Sequence, residues 1–180
     1  NKCCNEGLVH SEAVAPAKVG GLAGEITGTI SGSSNTGTVS IRNTVATTNA
    51  PFIPVGGLVG YAYNVQFKSC EAEGEVVSNV ASASYAGSAV GAFKGNSVTK
   101  MTFSNLTLAG NVTGVTGTKV GLLAGMIYDC AASSFAIKSA YIRVPDAKLN
   151  GTSVRSIAAS SLFGDVGRAT SVDISAVEFE

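Results

Sequence analysis

One hexapeptide pattern recurs along this chain and constrains its fold more than any other feature. Five segments align: Val19-Gly-Gly-Leu-Ala-Gly24, Val55-Gly-Gly-Leu-Val-Gly60, Val90-Gly-Ala-Phe-Lys-Gly95, Val120-Gly-Leu-Leu-Ala-Gly125 and the more degenerate Ala159-Ser-Ser-Leu-Phe-Gly164. Their starts are spaced by roughly 30 to 40 residues, the period of a solenoid or array. A second block follows the first, at Ser33-Ser-Asn-Thr-Gly-Thr-Val-Ser40, Cys70-Glu-Ala-Glu-Gly-Glu-Val-Val-Ser78 and Leu106-Thr-Leu-Ala-Gly-Asn-Val-Thr113. The opening residues Cys3-Cys-Asn-Glu-Gly-Leu-Val-His10 match this second block, so the chain is expected to begin halfway through a repeat of a longer protein. The last glycine of the first block falls at Gly24, Gly60, Gly95, Gly125 and Gly164. A position restricted to glycine needs either positive φ or close approach of another backbone, and a corner between stacked coils supplies both.

Between the blocks, apolar residues alternate: Val65 and Phe67, Met101 and Phe103, Val172 and Ile174. That period of two predicts short strands with one buried face. Helical spacing is confined to an alanine-rich stretch, 129–142. A coil this short cannot bury its apolar face alone but can bury it against the coils above and below. The chain is therefore expected to be all-β, a parallel β-helix of about five stacked repeats with irregular loops. Residues 1–18 form the tail of a partial repeat, followed by repeats at 19–54, 55–89, 90–119 and 120–158 and a partial one at 159–180. Leu22, Leu58, Phe93, Leu123 and Leu162 should form one inward ladder and Val39, Val76 and Val112 another. Ala23, Val59, Lys94, Ala124 and Phe163 should face outward, and the poorly matching stretches 41–54, 79–88 and 144–155 should be projecting loops.

Composition narrows the functional classes. Twelve basic residues balance twelve acidic ones in 180 residues, so no net field attracts nucleic acid or acidic lipid. Glycines and hydroxyls interrupt every apolar stretch before the ~20 residues needed to cross a bilayer. The only histidine is His10, and no HExxH, P-loop, GxSxG or CxxC spacing occurs, which leaves no motif for a metal centre or a cofactor.

At its glycine blocks the sequence resembles the GLUG-motif repeat family, whose copies read Val-Gly-Gly-Leu-Val-Gly, then a short strand, then Cys-hydrophobic-Asn-Thr-Gly-Thr-Val. The likeness is strongest from Val19 to Thr113 and weak after Asp129. It implies a parallel β-helix, of bacterial or other microbial origin and secreted or attached to the cell surface, with adhesive or structural rather than catalytic work. Flanking repeats of the same polypeptide and a host or matrix glycan or protein are the partners it implies.

Two side-chain groups are candidates for binding. Tyr61, Tyr63 and Tyr128, with Tyr85 and Tyr141, offer aromatic platforms for sugar rings. Tyr63 and Tyr128 share an offset from their glycines. Glu71, Glu73 and Glu75 alternate along one predicted strand, placing them on one face about 7 Å apart. They suggest a cation site or a catalytic pair, although the sites taken as equivalent, Asn35, Gly37, Leu108 and Gly110, carry no acid. Three N-x-S/T sequons at Asn105, Asn111 and Asn150 are close to the number chance supplies in a chain this rich in Ser and Thr. Cys70 and Cys130 are expected to be unbonded inward packers. The sequence thus favours a non-catalytic adhesive or spacer segment that presents its loops for glycan or protein binding. A carbohydrate-active enzyme region and a filament subunit are the alternatives.

Overall fold

The computed structural model describes residues 1–13, 16–43, 52–80, 84–95, 101–128, 135–143, 146–167 and 172–180. They form a β-solenoid of about four turns, as the repeats predict, with partial turns at both ends. The second turn shows the plan. A short strand, Ile53–Gly56, reverses at Gly57-Leu58 into the long strand Val59–Ala72, which bends at Gly74 into Val76–Asn79. In the third turn Ser84–Gly87 lies on Ile53–Gly56, Val90–Lys94 and Met101–Leu108 lie on Val59–Ala72, and Asn111–Gly114 lies on Val76–Asn79. Every described pairing is parallel except Lys148–Leu149 with Thr152–Ser153. There Asn150 and Gly151 both have positive φ (48° and 77°), the geometry of a two-residue hairpin turn. Three sheets result, the longest built around Val59–Ala72.

Parallel stacking puts equivalent residues directly over one another, so alternation along a strand becomes columns along the axis. Ile30, Phe67, Phe103 and Ile137 form one inward column. The rings of Phe67 and Phe103 stack at 4.9 Å, and those of Phe93 and Phe135 at 5.2 Å. Cys70, Leu106, Ala140 and Val177 form the next column. Val39, Val76 and Val112, fully buried as expected, lie in a second core with Val55 and Ile53.

The glycines of the first block are explained by how closely two sheets approach. After the reversal, the start of each long strand lies backbone to backbone against the short strand of the preceding turn. A Cβ on Gly60 would sit 2.6 Å from Val19 N and 2.7 Å from Gly24 O; one on Gly125 would sit 2.3 Å from Ala86 N. These glycines lie inside strands without positive φ, so close approach alone imposes them, and the corner itself falls two to three residues earlier. A second column, Gly37 and Gly74, is equally tight: a Cβ on either would sit 2.0 Å from the carbonyl oxygen of the glycine one turn before.

Register corrects three expectations. The third copy of the block is Ala86-Gly-Ser-Ala-Val-Gly91, four residues before the aligned Val90 to Gly95: Ala86 pairs with Val55 and Val120, and Val90 with Val59 and Ala124. Gly91, not Gly95, therefore joins Gly24, Gly60, Gly125 and Gly164. Ala89 takes the ladder position given to Phe93: Leu58 N donates to its carbonyl, as Leu22 N does to Leu58 O and Leu123 N to Leu162 O. Phe93 is buried one column further on, between Ala62 and Ile127. Second, Val59 and Ala124 are fully buried and Phe163 nearly so, because they pack in the main core with Leu58, Val90 and Leu123 rather than facing outward. Third, strands run into the expected loops at Val39–Asn43, Ile53–Gly56 and Ser84–Gly87, and the stretch read as helical carries strands Phe135–Ile137 and Ala140–Ile142. Cys130 and Asp129 lie outside the described residues.

Candidate binding face

Beyond the glycine contact, the long strands are covered on one side only, and their outward positions line up. One outward column reads Glu25, Tyr61, Ala92, Met126 and Asp165; the next, two residues along each strand, reads Thr27, Tyr63, Lys94 and Tyr128. The intervening Ile26, Ala62, Phe93 and Ile127 point into the core. The sequence-predicted tyrosines Tyr61, Tyr63 and Tyr128 are thereby brought onto one face of one sheet, all half-buried.

Neighbouring side chains fix the platform. Phe52 meets the Tyr61 ring edge-on at 5.4 Å and the Tyr85 ring at 5.4 Å, so Tyr85, on a different sheet, joins the same aromatic surface. Lys18 Nζ lies 4.7 Å over the Tyr61 ring while donating to Glu25 Oε2 at 2.5 Å. Lys94 Nζ lies 5.3 Å from the centre of the Tyr128 ring, one turn above. Partial burial and then the nearby Asp165 carboxylate push the Tyr85 hydroxyl above its usual pKa. Ala92, between Tyr61 and Met126 in the column, is fully buried. Chemically this is an amphipathic aromatic surface that carries the ion-paired Lys18 and Glu25 beside Tyr61, Lys94 at its middle and Asp165 at its far edge. Sequence inspection set Lys94 outward but not among the tyrosines, because the shifted third block hid its register, and it missed Phe52 and Lys18, which reach the face from just before the short strand and from the segment before the first block.

The glutamates do not form the expected stripe. The strand ends at Ala72 and the chain bends at Gly74, so Glu71 alone lies outward on it, in a column with Ser34, Thr107 and Tyr141. The equivalents named from sequence were therefore one residue out of register. Glu73 is half-buried and ion-paired to Arg143 Nη1 from two turns above, which removes it from any cation site; Glu75 is exposed. His10 is exposed, with Nδ1 2.7 Å from Ser40 Oγ. Among the described residues, no three His, Cys, Asp or Glu side chains converge on a metal-sized site.

Of the sequons, Asn105 sits at a corner in the left-handed region (φ 54°), over Ser69 (51°), Gly32 (55°) and Lys2 (55°). This left-handed column turns the long strand in four successive turns. Sequence gave little sign of it, because only one of the four is glycine. Asn111 Nδ2 donates to Thr113 Oγ1 at 2.9 Å, and Asn150 Oδ1 accepts from Gly114 N at 2.9 Å. Tyr141 lies on the same sheet but in the Glu71 column, away from the aromatic face.

Compared with protein-family models, curated protein sequences and solved structures, the chain matches none of them.

Proposed function

We propose that this solenoid is a non-catalytic segment of a secreted or cell-surface repeat protein, serving in adhesion or as a spacer, and that its aromatic face binds a glycan. The observation that carries the reading is the convergence of Tyr61, Tyr63, Tyr85, Phe52 and Tyr128 on one rigid face. Rungs of a parallel sheet are about 4.8 Å apart, so Tyr63 and Tyr128, two turns apart, are separated by about 9.6 Å along the axis. That separation suits stacking on alternate rings of an extended sugar chain laid parallel to the solenoid. Lys94, between them, offers a donor to ring hydroxyls or a carboxylate. The resemblance to GLUG-motif repeats supports the same reading, including the microbial surface as its setting.

A glycan array probed with the protein, followed by titration of any hit, tests it. Tyr63→Ala and Tyr128→Ala should each weaken binding by about 1–3 kcal/mol, the usual worth of one aromatic stacking platform. Replacing the hairpin turn Asn150–Gly151, which lies on a different sheet, should leave it intact. Binding that ignores both tyrosines would move the activity off this face.

A further inference from the structure

The chain contains a single Asn-Gly dipeptide, Asn150-Gly151. It forms the tip of the hairpin that joins Lys148–Leu149 to Thr152–Ser153, and both of its residues are exposed. An asparagine followed by glycine is the pair most prone to cyclise, because no side chain shields the next main-chain nitrogen from the carboxamide. A Cβ on Gly151 would meet nothing within 4 Å, so its φ of 77° alone selects glycine here.

Three hydrogen bonds hold this tip against the turn before it. Asn150 N donates to Val112 O at 2.9 Å, Gly114 N donates to Asn150 Oδ1 at 2.9 Å, and Gly151 N donates to Asn111 Oδ1 at 3.0 Å. Asn111 is itself fixed, since its Nδ2 donates to Thr113 Oγ1 at 2.9 Å and leaves its oxygen facing the tip. These bonds occupy the two groups that cyclisation needs: the Gly151 N–H, which must lose its proton, and the Asn150 carboxamide, which must swing onto that nitrogen.

We propose that Asn150 is a deamidation site, held unreacted by the Asn111 carboxamide while the hairpin is docked, and that its isoaspartate product undocks the hairpin. The Gly151 nitrogen gives up its proton and forms a bond to Asn150 Cγ. The Cγ–Nδ2 bond breaks, and the amide nitrogen leaves with that proton as ammonia. Water then opens the five-membered imide at one of its two carbonyl carbons. Addition at Cγ restores the main chain with Asp in place of Asn, whose carboxylate still accepts from Gly114 N. Addition at the main-chain carbonyl carbon routes the backbone through Cγ and lengthens it by one methylene. A two-residue turn cannot absorb that atom and keep Lys148 opposite Ser153 and Leu149 opposite Thr152. Leu149, which packs against both cores, then loses its anchor. This inference is independent of the aromatic face.

The 180-residue protein is aged in warm, mildly alkaline buffer beside the free peptide of residues 149–155. Trypsin releases the same peptide from the protein, after Lys148 and Arg155, and mass spectrometry reads the replacement of an amide by a carboxyl. Conversion in the folded protein should be about tenfold slower or more, because it waits on local opening of the hairpin. Asn111→Ala should speed it about two- to tenfold, the change in open population that one hydrogen bond controls, whereas Asn111→Asp keeps the acceptor oxygen and should stay near the parent rate. In hydrogen–deuterium exchange on the aged protein, the isoaspartate form alone should lose amide protection over residues 148–154. The comparison with the peptide and the exchange on aged protein need no variant, so they decide the matter even where Asn111→Ala folds poorly. Equal rates in protein and peptide, a folded Asn111→Ala protein that reacts at the parent rate, or an isoaspartate form whose hairpin stays protected would each overturn the proposal.

Discussion

Replacing Gly91 by alanine separates the register seen in the structure from the one the hexapeptide alignment suggests. The added methyl would lie 2.3 Å from Val55 N, 2.7 Å from Gly60 O and 2.7 Å from Pro54 C, where ordinary contact begins at 3.4 Å. All three obstacles are backbone atoms of neighbouring turns, so no side-chain rotation relieves them. Two sheets must separate locally by about 1 Å, at the upper end of the 1–3 kcal/mol typical of overpacking. An expected loss of about 3 kcal/mol corresponds to a fall in Tm of about 6–12 °C for a chain of this size. Thermal and urea unfolding followed by far-UV circular dichroism measures it. Gly7→Ala is the internal control: its nearest obstacle is Asn5 Oδ1 at 3.9 Å, and the change should stay within about 0.5 kcal/mol. A Gly91→Ala protein that melts within about 2 °C of the parent would show that the two sheets are not in backbone contact and that the glycine register is wrong.

Other consequences can be measured separately. Phe103→Ala empties the middle of the ring stack formed with Phe67, Phe93 and Phe135 and should cost about 3–5 kcal/mol; a loss under 1 kcal/mol would argue against that stack. Iodoacetamide followed by peptide mass analysis should label exposed Cys3 and Cys4 promptly and Cys70 only on unfolding, since burial both shields the Cys70 thiol and pushes its pKa up; equal labelling rates would place Cys70 outside the core. Because the folded-state pKa of Tyr85 is raised, the unfolded chain releases that proton first as pH climbs. Its contribution is complete below the ordinary tyrosine pKa and is lost between that value and the raised one. Tyr85→Phe should therefore flatten the alkaline limb of the stability profile, and an unchanged limb would show that burial and Asp165 do not raise the Tyr85 pKa.

The stacked-coil fold is legible because a solenoid repeats its constraints. Gly24, Gly60, Gly125 and Gly164 mark one contact, and Val39, Val76 and Val112 one column, so agreement among copies substitutes for long-range information. Legibility fails where one copy departs. Turn three replaces Gly-Leu with Ser88-Ala89, and Val90 to Gly95 then matches the motif's letters better than the true copy does. Ser88 also does something no glycine can: its hydroxyl donates to Ala72 O at 2.9 Å and lies 3.0 Å from Ala109 O, tying the reversal to the next corner. That four-residue slip displaced Lys94 from the tyrosine column and hid the aromatic face. Alternation likewise suggested a glutamate stripe, because it cannot reveal that the strand ends at Ala72.

The same repetition explains why recognition can occupy this scaffold without endangering it. Each turn is held by its inward columns and by glycine contacts with its immediate neighbours, so stability is approximately a sum of local terms. Outward positions of one column carry no such duty, and their chemistry varies freely here: Thr27, Tyr63, Lys94 and Tyr128 share a column that is neither uniformly apolar nor uniformly charged. The inward column of Ile26, Ala62, Phe93 and Ile127 shows the opposite, its members differing in size but never in polarity. Outward positions can therefore change chemistry turn by turn, since each turn can be altered at one position while the rungs above and below hold it in place.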